Sequence, residues 1–187
     1  MSRYVPEIKE RMERGHPLLY DDDADVLFTL ARRGTSYVEV GTYCGGSAIV
    51  AGLAGCEVFG IDTWSYPQDM KTFRPTPDDV RANWAAFGLD PEKLHLYQQA
   101  HPPLPPELAG RAFDTGFIDG AHDVESAWRD WASVSERVRG YVLFHDANRA
   151  GPYWAMLKAL KEDRRWGRVA LPIGCTTTIR ILKRISD

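Results

Sequence analysis

Cysteine is scarce in this sequence: Cys44, Cys56 and Cys175 are the only three among 187 residues, and no two form a C-x-x-C pair. An odd count without paired spacing argues against a disulfide framework and fits a reducing, cytoplasmic setting. Long apolar runs are also missing. None approaches the roughly 20 residues of a membrane span, so no membrane partner is expected. No sign of charge dominates, with 23 basic against 26 acidic residues and a net charge of −3. Nothing in that balance calls for nucleic acid. The segment from Met1 to Arg14 is polar and carries both signs, unlike a signal peptide. Repeats and low-complexity tracts are absent. Apolar residues at 44% and charged residues at 26% describe an ordinary globular chain, not a disordered, collagenous or coiled-coil one. The length suits one domain over 1–187, at roughly 100–200 residues per domain. Within it, 1–34 reads as N-terminal helices. Residues 64–79, irregular and proline-bearing, read as a surface insertion or lid.

What is present alternates between β-rich and helical runs. Asp22 to Arg33 begins with acids, ends with two arginines and meets Gly34, the charge order that complements a helix dipole. Tyr37–Val40 is a short strand ending at Gly41, and Ser47–Leu53 a helix. Glu57–Ile61 is a second strand, ending at Asp62. Thr76 caps a helix with Pro77 at its first position, and Val80, Trp84 and Phe87 share one face. Leu94–Tyr97 and Phe113–Ile118 read as the third and fourth strands. Val124, Trp128, Trp131 and Val138 form one helical stripe. Tyr141–Phe144 is a fifth strand, and Pro152 opens a helix with Trp154, Leu157 and Leu160 inward. Arg168–Leu171 and Thr177–Leu182 lie too close for a helix between them and predict an antiparallel hairpin. Five β/α units and a hairpin imply an α/β three-layer sandwich, mostly parallel, with one antiparallel edge strand. Such sheets take ligands beyond the carboxyl ends of their strands. Glu39, Asp62, Gln98, Gln99, Asp119, His145 and Asp146 all stand at those ends.

The run E-V-G-T-Y-C-G-G-S, from Glu39 to Ser47, joins a strand to a helix. It is neither G-x-G-x-x-G, nor a P-loop, nor a nucleophile elbow. What remains, E-x-G-x-x-x-G, still permits a tight turn and close approach of a ligand to the main chain. Asp62, 21 positions after Gly41, sits where a carboxylate accepts the hydroxyl protons of a ribose. Trp64 could lie against an adenine face or in the core. His122, His145 and Asp119 are the candidate bases, with His145 equally readable as a structural hydrogen-bonder. Cys44 reads as a small filler.

Taken in order, E-V-G-T-Y-C-G-G-S, F-G-I-D-T-W, F-I-D-G-A-H-D and V-L-F-H-D resemble the class I S-adenosylmethionine (SAM)-dependent methyltransferases. The pattern is most similar to the bacterial branch of small-molecule and sugar O-methyltransferases, over about Tyr37 to Asn148. The resemblance implies a Rossmann-like, seven-stranded sheet with an antiparallel last strand. It implies SAM as cofactor, with Glu39, Gly41 and Gly45 around its methionine part and Asp62 on the ribose. Gln98 or Gln99 would lie near the adenine, and Asp119 beside the sulfonium and the acceptor. Tyr43, Ser47, Thr63 and Trp64 belong to the same loops and join the cofactor set. Relatives in this branch hold a divalent cation with an acid at the position of Asp119 and two adjacent Asp or Asn residues after the fifth strand. Here Asp146 matches the first of the pair. Ala147 in the second cannot ligate, and Asn148 is one residue on. The implied metal set, for magnesium or another divalent cation, is therefore Asp119, Asp146 and Asn148.

These readings converge on methyl transfer to an oxygen of a small-molecule acceptor. An NAD-dependent oxidoreductase shares the strand-end acid but not this glycine spacing or the hairpin. A non-catalytic SAM-binding scaffold is the third reading. Acceptor contacts are expected from His16 and Tyr20, from the 64–79 insertion and from the Ala147–Tyr153 loop with Arg149. A chain this short leaves little room for a separate substrate domain, which favours a site completed by a homodimer.

Overall fold

The computed structural model of the chain describes residues 4–16, 18–65, 73–99, 103–172 and 174–186, with side chains from residue 7 onward. The order is α1 (Tyr4–Arg11), α2 (Asp21–Ala31), β1 (Ser36–Val40), α3 (Gly46–Leu53), β2 (Glu57–Asp62), α4 (Pro77–Ala86), β3 (Leu94–Gln98), β4 (Phe113–Ile118), α5 (Val124–Ser135), β5 (Val138–Phe144), α6 (Ala150–Glu162), β6 (Trp166–Val169) and β7 (Arg180–Arg184). The seven strands form one sheet in the order β3-β2-β1-β4-β5-β7-β6. All neighbours from β3 to β5 pair in parallel, and β7 is antiparallel to both β5 and β6.

The central strands are apolar on both faces because helices cover both. Val38 and Phe117 are fully buried, on opposite sides of the sheet. One core packs α2, α3 and α4 around Leu27, Ile49 and Trp84. The other packs α5 and α6 around Trp131, Phe144 and Met156. Thr76 and Asp79 form a reciprocal capping box at the start of α4. Buried Asn83 on α4 donates to the carbonyls of Arg14 and Cys44 at 2.7 and 2.9 Å and accepts from Arg14 N–H at 2.9 Å. That one amide ties the N-terminal segment to the glycine loop. No helix among the described residues is long and apolar enough to cross a membrane.

Four details differ from the sequence reading. The antiparallel strand is not at the edge. The α6 crossover carries the chain past a vacant slot to β6, parallel to β5, and β7 returns to fill the slot. Val138 belongs to β5, not to the α5 stripe. Phe113 N–H donates to the Arg137 carbonyl at 2.8 Å, pulling this segment into the ladder. Gly140 does not break that strand but lets it pass the Asp114 carbonyl, which a Cβ would meet at 2.4 Å. Trp154 is 56% exposed. Because α6 begins at Ala150, its inward face is Gly151, Ala155, Met156 and Ala159. Finally, of the 64–79 insertion, residues 66–72 lie outside the described residues, and its end forms the first turn of α4.

Candidate active site

The carboxyl ends of the five parallel strands β3, β2, β1, β4 and β5 open into a cavity of about 550 Å³. Gly41, with φ of +94°, carries the chain out of β1. A Cβ there would lie 2.1 Å from the Asp119 carbonyl, so only glycine fits between the ends of β1 and β4. Gly45, with φ of +90°, turns the loop into α3. Four non-glycine residues take left-handed φ values among the described residues: Leu18, Tyr43, Trp64 and Asp146. Three of them line the cavity and Trp64 lies next to it. Strain of this kind, roughly 1–3 kcal/mol each, gathers where a site needs fixed backbone.

At the glycine loop, Glu39 is fully buried. Its Oε2 accepts from Tyr37 Oη at 2.8 Å and from Ser47 Oγ at 2.6 Å. Burial pushes its carboxyl up to about 7, against the pull of those two donors. Its Oε1, and the Oγ1 of Thr42 beside it, are buried without a partner. Asp62 ends β2. Its Oδ2 accepts from Tyr43 N–H at 2.7 Å and its Oδ1 from Trp64 N–H at 2.9 Å, so one carboxylate spans both loops. Thr63 and Gln99 line the same wall. Gln98 is exposed and donates to the Thr63 carbonyl at 3.0 Å, outside the cavity lining. Trp64 turns into the core because its Nε1 donates to the Tyr43 carbonyl at 2.9 Å, so it presents no face to the cavity. Cys44 is buried, and burial pushes its thiol up to about 12, as expected of a filler.

Across the cavity stand Asp119, His122, His145 and Asp146. His145 is buried between two carboxylates, with Nδ1 2.9 Å from Asp119 Oδ1 and Nε2 3.2 Å from Asp23 Oδ2. Burial alone would lower its pKa. The bonds to Asp119 and Asp23 outweigh burial and hold it up at about 10, so it is an imidazolium. Asp23, on α2, is fully buried and also accepts from Thr178 N–H at 2.8 Å, while Thr177 Oγ1 donates to its Oδ1. With both ring nitrogens engaged, His145 is a structural cation and has no lone pair to act as a base. His122 is different. It is about a third exposed at the cavity wall, and its Nδ1 accepts from Arg149 Nη1 at 3.0 Å. Because Arg149 can only donate, the ring proton sits on Nε2, 3.2 Å from Asp146 Oδ2. Gly151 allows this arrangement, since a Cβ there would strike the His122 carbonyl at 1.9 Å.

Asp119, His145 and Asp146 can each place one ligand atom within 4.8 Å of the others. Asn148 is exposed and outside that cluster, while Ala147 points inward. The donors are already spent on one another: imidazolium His145 offers no lone pair, and Asp146 carries both His122 and Arg149. As arranged, this set does not fit a divalent cation. Of the expected acceptor contacts, Tyr20 and Arg149 line the cavity and His16 does not.

A family model described as a methyltransferase domain matches residues 38–147, more than half of the chain. The chain belongs to this methyltransferase-domain family. No curated protein matches it by sequence. Solved structures of similar fold include the O-methyltransferase NovP, at a TM-score of 0.66 and 17% identity, covering 87% of this chain and 79% of that one. An O-methyltransferase from Bacillus cereus, in complex with SAH, aligns at 0.66 and 14%, covering 100% and 92%. TomG from Streptomyces achromogenes, an O-methyltransferase involved in tomaymycin synthesis and in complex with SAM, aligns at 0.66 and 14%, covering 100% and 91%. At these identities the likeness speaks for the methyltransferase fold.

Two residues of this methyltransferase site escaped the sequence reading. Asp23 sits in the run Asp21–Asp23, where its acidity reads as dipole complement at a helix start. Asp130 lines the cavity from α5 and is 2% exposed. The pair Asp130-Trp131 is part of the pattern that resembles the family, but the pattern gave the carboxyl no role.

Proposed function

We propose that the chain is a SAM-dependent methyltransferase that methylates an oxygen of a small molecule, a sugar or natural-product hydroxyl. The observation that carries this is one cavity with two walls. The glycine loop and Asp62 suit a nucleoside bearing an amino acid, and an oriented histidine faces them. The residues fit the cofactor. Thr42 lines the cavity, and its Oγ1 is a buried oxygen without a hydrogen-bond partner, one to which an ammonium can donate. Asp62 stands in the same wall, where its carboxylate ties both loops together and is the group type that accepts ribose hydroxyls. Gly41, Gly45, Ser47, Tyr43 and Thr63 shape the same wall, and Gln99 extends it. When bound, SAM supplies a methyl group activated on a sulfonium.

The chain's own task is to position the acceptor hydroxyl and take its proton. Asp119, oriented by His145, offers its free oxygen to the hydroxyl as an acceptor. Asp146 holds the Nε2–H of His122, leaving Nδ1 as the proton acceptor once the acceptor displaces exposed Arg149. The balance is simple. The hydroxyl proton would pass to His122 Nδ1 as the oxygen takes up the methyl group, which the bound cofactor would supply from its sulfonium while keeping the bonding pair as a thioether. No step needs a cation. Leu18 and Tyr20, both more than half exposed, give the cavity mouth an apolar rim. The three free cysteines suit a reducing cytoplasm.

The test is titration with SAM and, separately, NAD, followed by a hydroxyl-acceptor panel read by S-adenosylhomocysteine release. Micromolar SAM binding with turnover on one acceptor is expected. His122→Ala should keep SAM affinity and lose about 10²–10⁴ in kcat. NAD binding without SAM binding sinks the proposal.

A further inference from the structure

Asp130 is the one buried carboxyl of the cavity that touches nothing able to satisfy it. It is 2% exposed, makes no hydrogen bond or ion pair, and its Oδ1 is sealed from solvent without a partner. No cation among the described residues compensates it. Burial, and the like charge of Asp123 at the start of α5, push its carboxyl up to about 7. A group so placed is costly unless a ligand completes it. Its surroundings define the ligand. Val40, Ile61, Pro103 and Leu104 give that end of the cavity apolar walls. Leu104 N–H donates to Ser133 Oγ at 2.8 Å, pinning the loop after β3 to α5 one turn beyond Asp130. Gly120 packs against the carboxyl, where a Cβ would lie 2.7 Å from Oδ2, so glycine leaves room at that oxygen. An apolar pocket end with a lone acceptor matches an apolar heterocycle bearing an exocyclic amine.

We infer that Asp130 is the adenine-reading residue of the cofactor site, its carboxyl accepting the 6-amino hydrogen bond of the base. This rests on the SAM reading above and adds to it the group that selects the base. Gln99, at the strand end where sequence points, has its side-chain amide turned to the Pro103 carbonyl and shapes the pocket end instead.

The experiment is a double-mutant cycle in binding. S-adenosylhomocysteine and its 6-deamino analogue, with hydrogen in place of the amino group, are titrated calorimetrically into wild type, Asp130→Ala and Asp130→Asn. Wild type should prefer the amino form by about 10- to 100-fold, the scale of one buried hydrogen bond left unmade. Asp130→Ala should lose that preference and bind the deamino analogue as wild type does. Asp130→Asn, which keeps a carbonyl acceptor, should retain it. Melting temperatures should not fall in Asp130→Ala, because no protein contact is removed. Equal binding of both ligands by wild type, or an unchanged preference in Asp130→Ala, overturns the assignment while leaving the SAM reading intact. Failure of wild type to bind S-adenosylhomocysteine at all overturns both.

Discussion

Asp23→Asn is the substitution whose consequences the structure specifies most fully. The side chain is fully buried and bonds His145, Thr177 and Thr178, which lie more than 120 residues away in the chain. Asn keeps the shape and removes the charge. His145 is then a buried imidazolium with one carboxylate partner instead of two. Removing one member of a buried ion pair costs about 3–5 kcal/mol. For a chain of this size, 1 kcal/mol moves the melting temperature by roughly 2–4 °C, so a fall of roughly 6–20 °C is expected at pH 7. The pH dependence has a definite sign. His145 is raised to about 10, so its contribution is complete below the ordinary histidine value and is lost as pH rises through about 10. The Asp23 carboxyl is held low, against burial, by His145 and Thr177. Its contribution is present above the ordinary carboxylate range and is lost as acid protonates it. The gap between wild type and variant should therefore be widest above the carboxylate range and near or below the ordinary histidine value, about pH 5 to 7, and should close as pH rises through about 10 and again in acid. Melting curves followed by circular dichroism at pH 5, 7 and 10.5 measure it. A gap under about 3 °C at pH 7, or one that widens above pH 10, refutes the charged bridge.

Three further outcomes are expected. Asp62→Ala removes the acceptor of both Tyr43 and Trp64 main-chain N–H groups as well as the ribose contact, so SAM affinity should fall at least about tenfold, read by calorimetry. Asp130→Asn removes a carboxyl raised to about 7. The wild type loses stability relative to the variant as pH climbs from the ordinary carboxylate range through about 7, and urea titrations at pH 5 and 8 should differ by ~2–3 kcal/mol between the two proteins. Glu39 is raised as far but is present in both, so it cancels. Exhaustive chelation should leave turnover within about twofold, since imidazolium His145 has no lone pair to offer and Asp146 is held by His122 and Arg149. Loss of activity restored by magnesium would show that the cluster rearranges to bind it.

Much of the fold was written in local pattern. Apolar runs ending in Gly41, Asp62, Gln99, Asp119 and Asp146 located five strand ends, and Thr76 with Pro77 located α4. These signals are legible because a strand buried on both faces or a capped helix constrains adjacent residues. The errors arose where distant contacts overrode neighbours. Val138 continued a helical spacing until the Arg137 carbonyl joined the β4 ladder. Trp154 looked like core because it is large, yet packing of Gly151 onto the β4–α5 loop fixed the phase of α6 and turned it outward. The proposed base was hidden for the same reason: the two histidine candidates differ only in which carboxylates and cations the fold brings to their rings.

The backbone strain makes the same point about function. Sequence flags left-handed turns by glycine, and it flagged Gly41 and Gly45. It says nothing of Tyr43, Trp64 and Asp146, which adopt that conformation at a cost of roughly 1–3 kcal/mol each. Each is held by a bond to the site. Tyr43 and Trp64 N–H groups are both held by Asp62, and the Asp146 side chain by His122 and Arg149. The carboxylate proposed for the cofactor's ribose and the carboxylate that orients His122 are thus the same ones that hold the strained loops. A ligand-free chain therefore already holds its binding and proton-accepting groups in place. Loss of Asp62 or Asp146 should loosen both loops together, so substitutions there reduce affinity and turnover beyond the single contact removed.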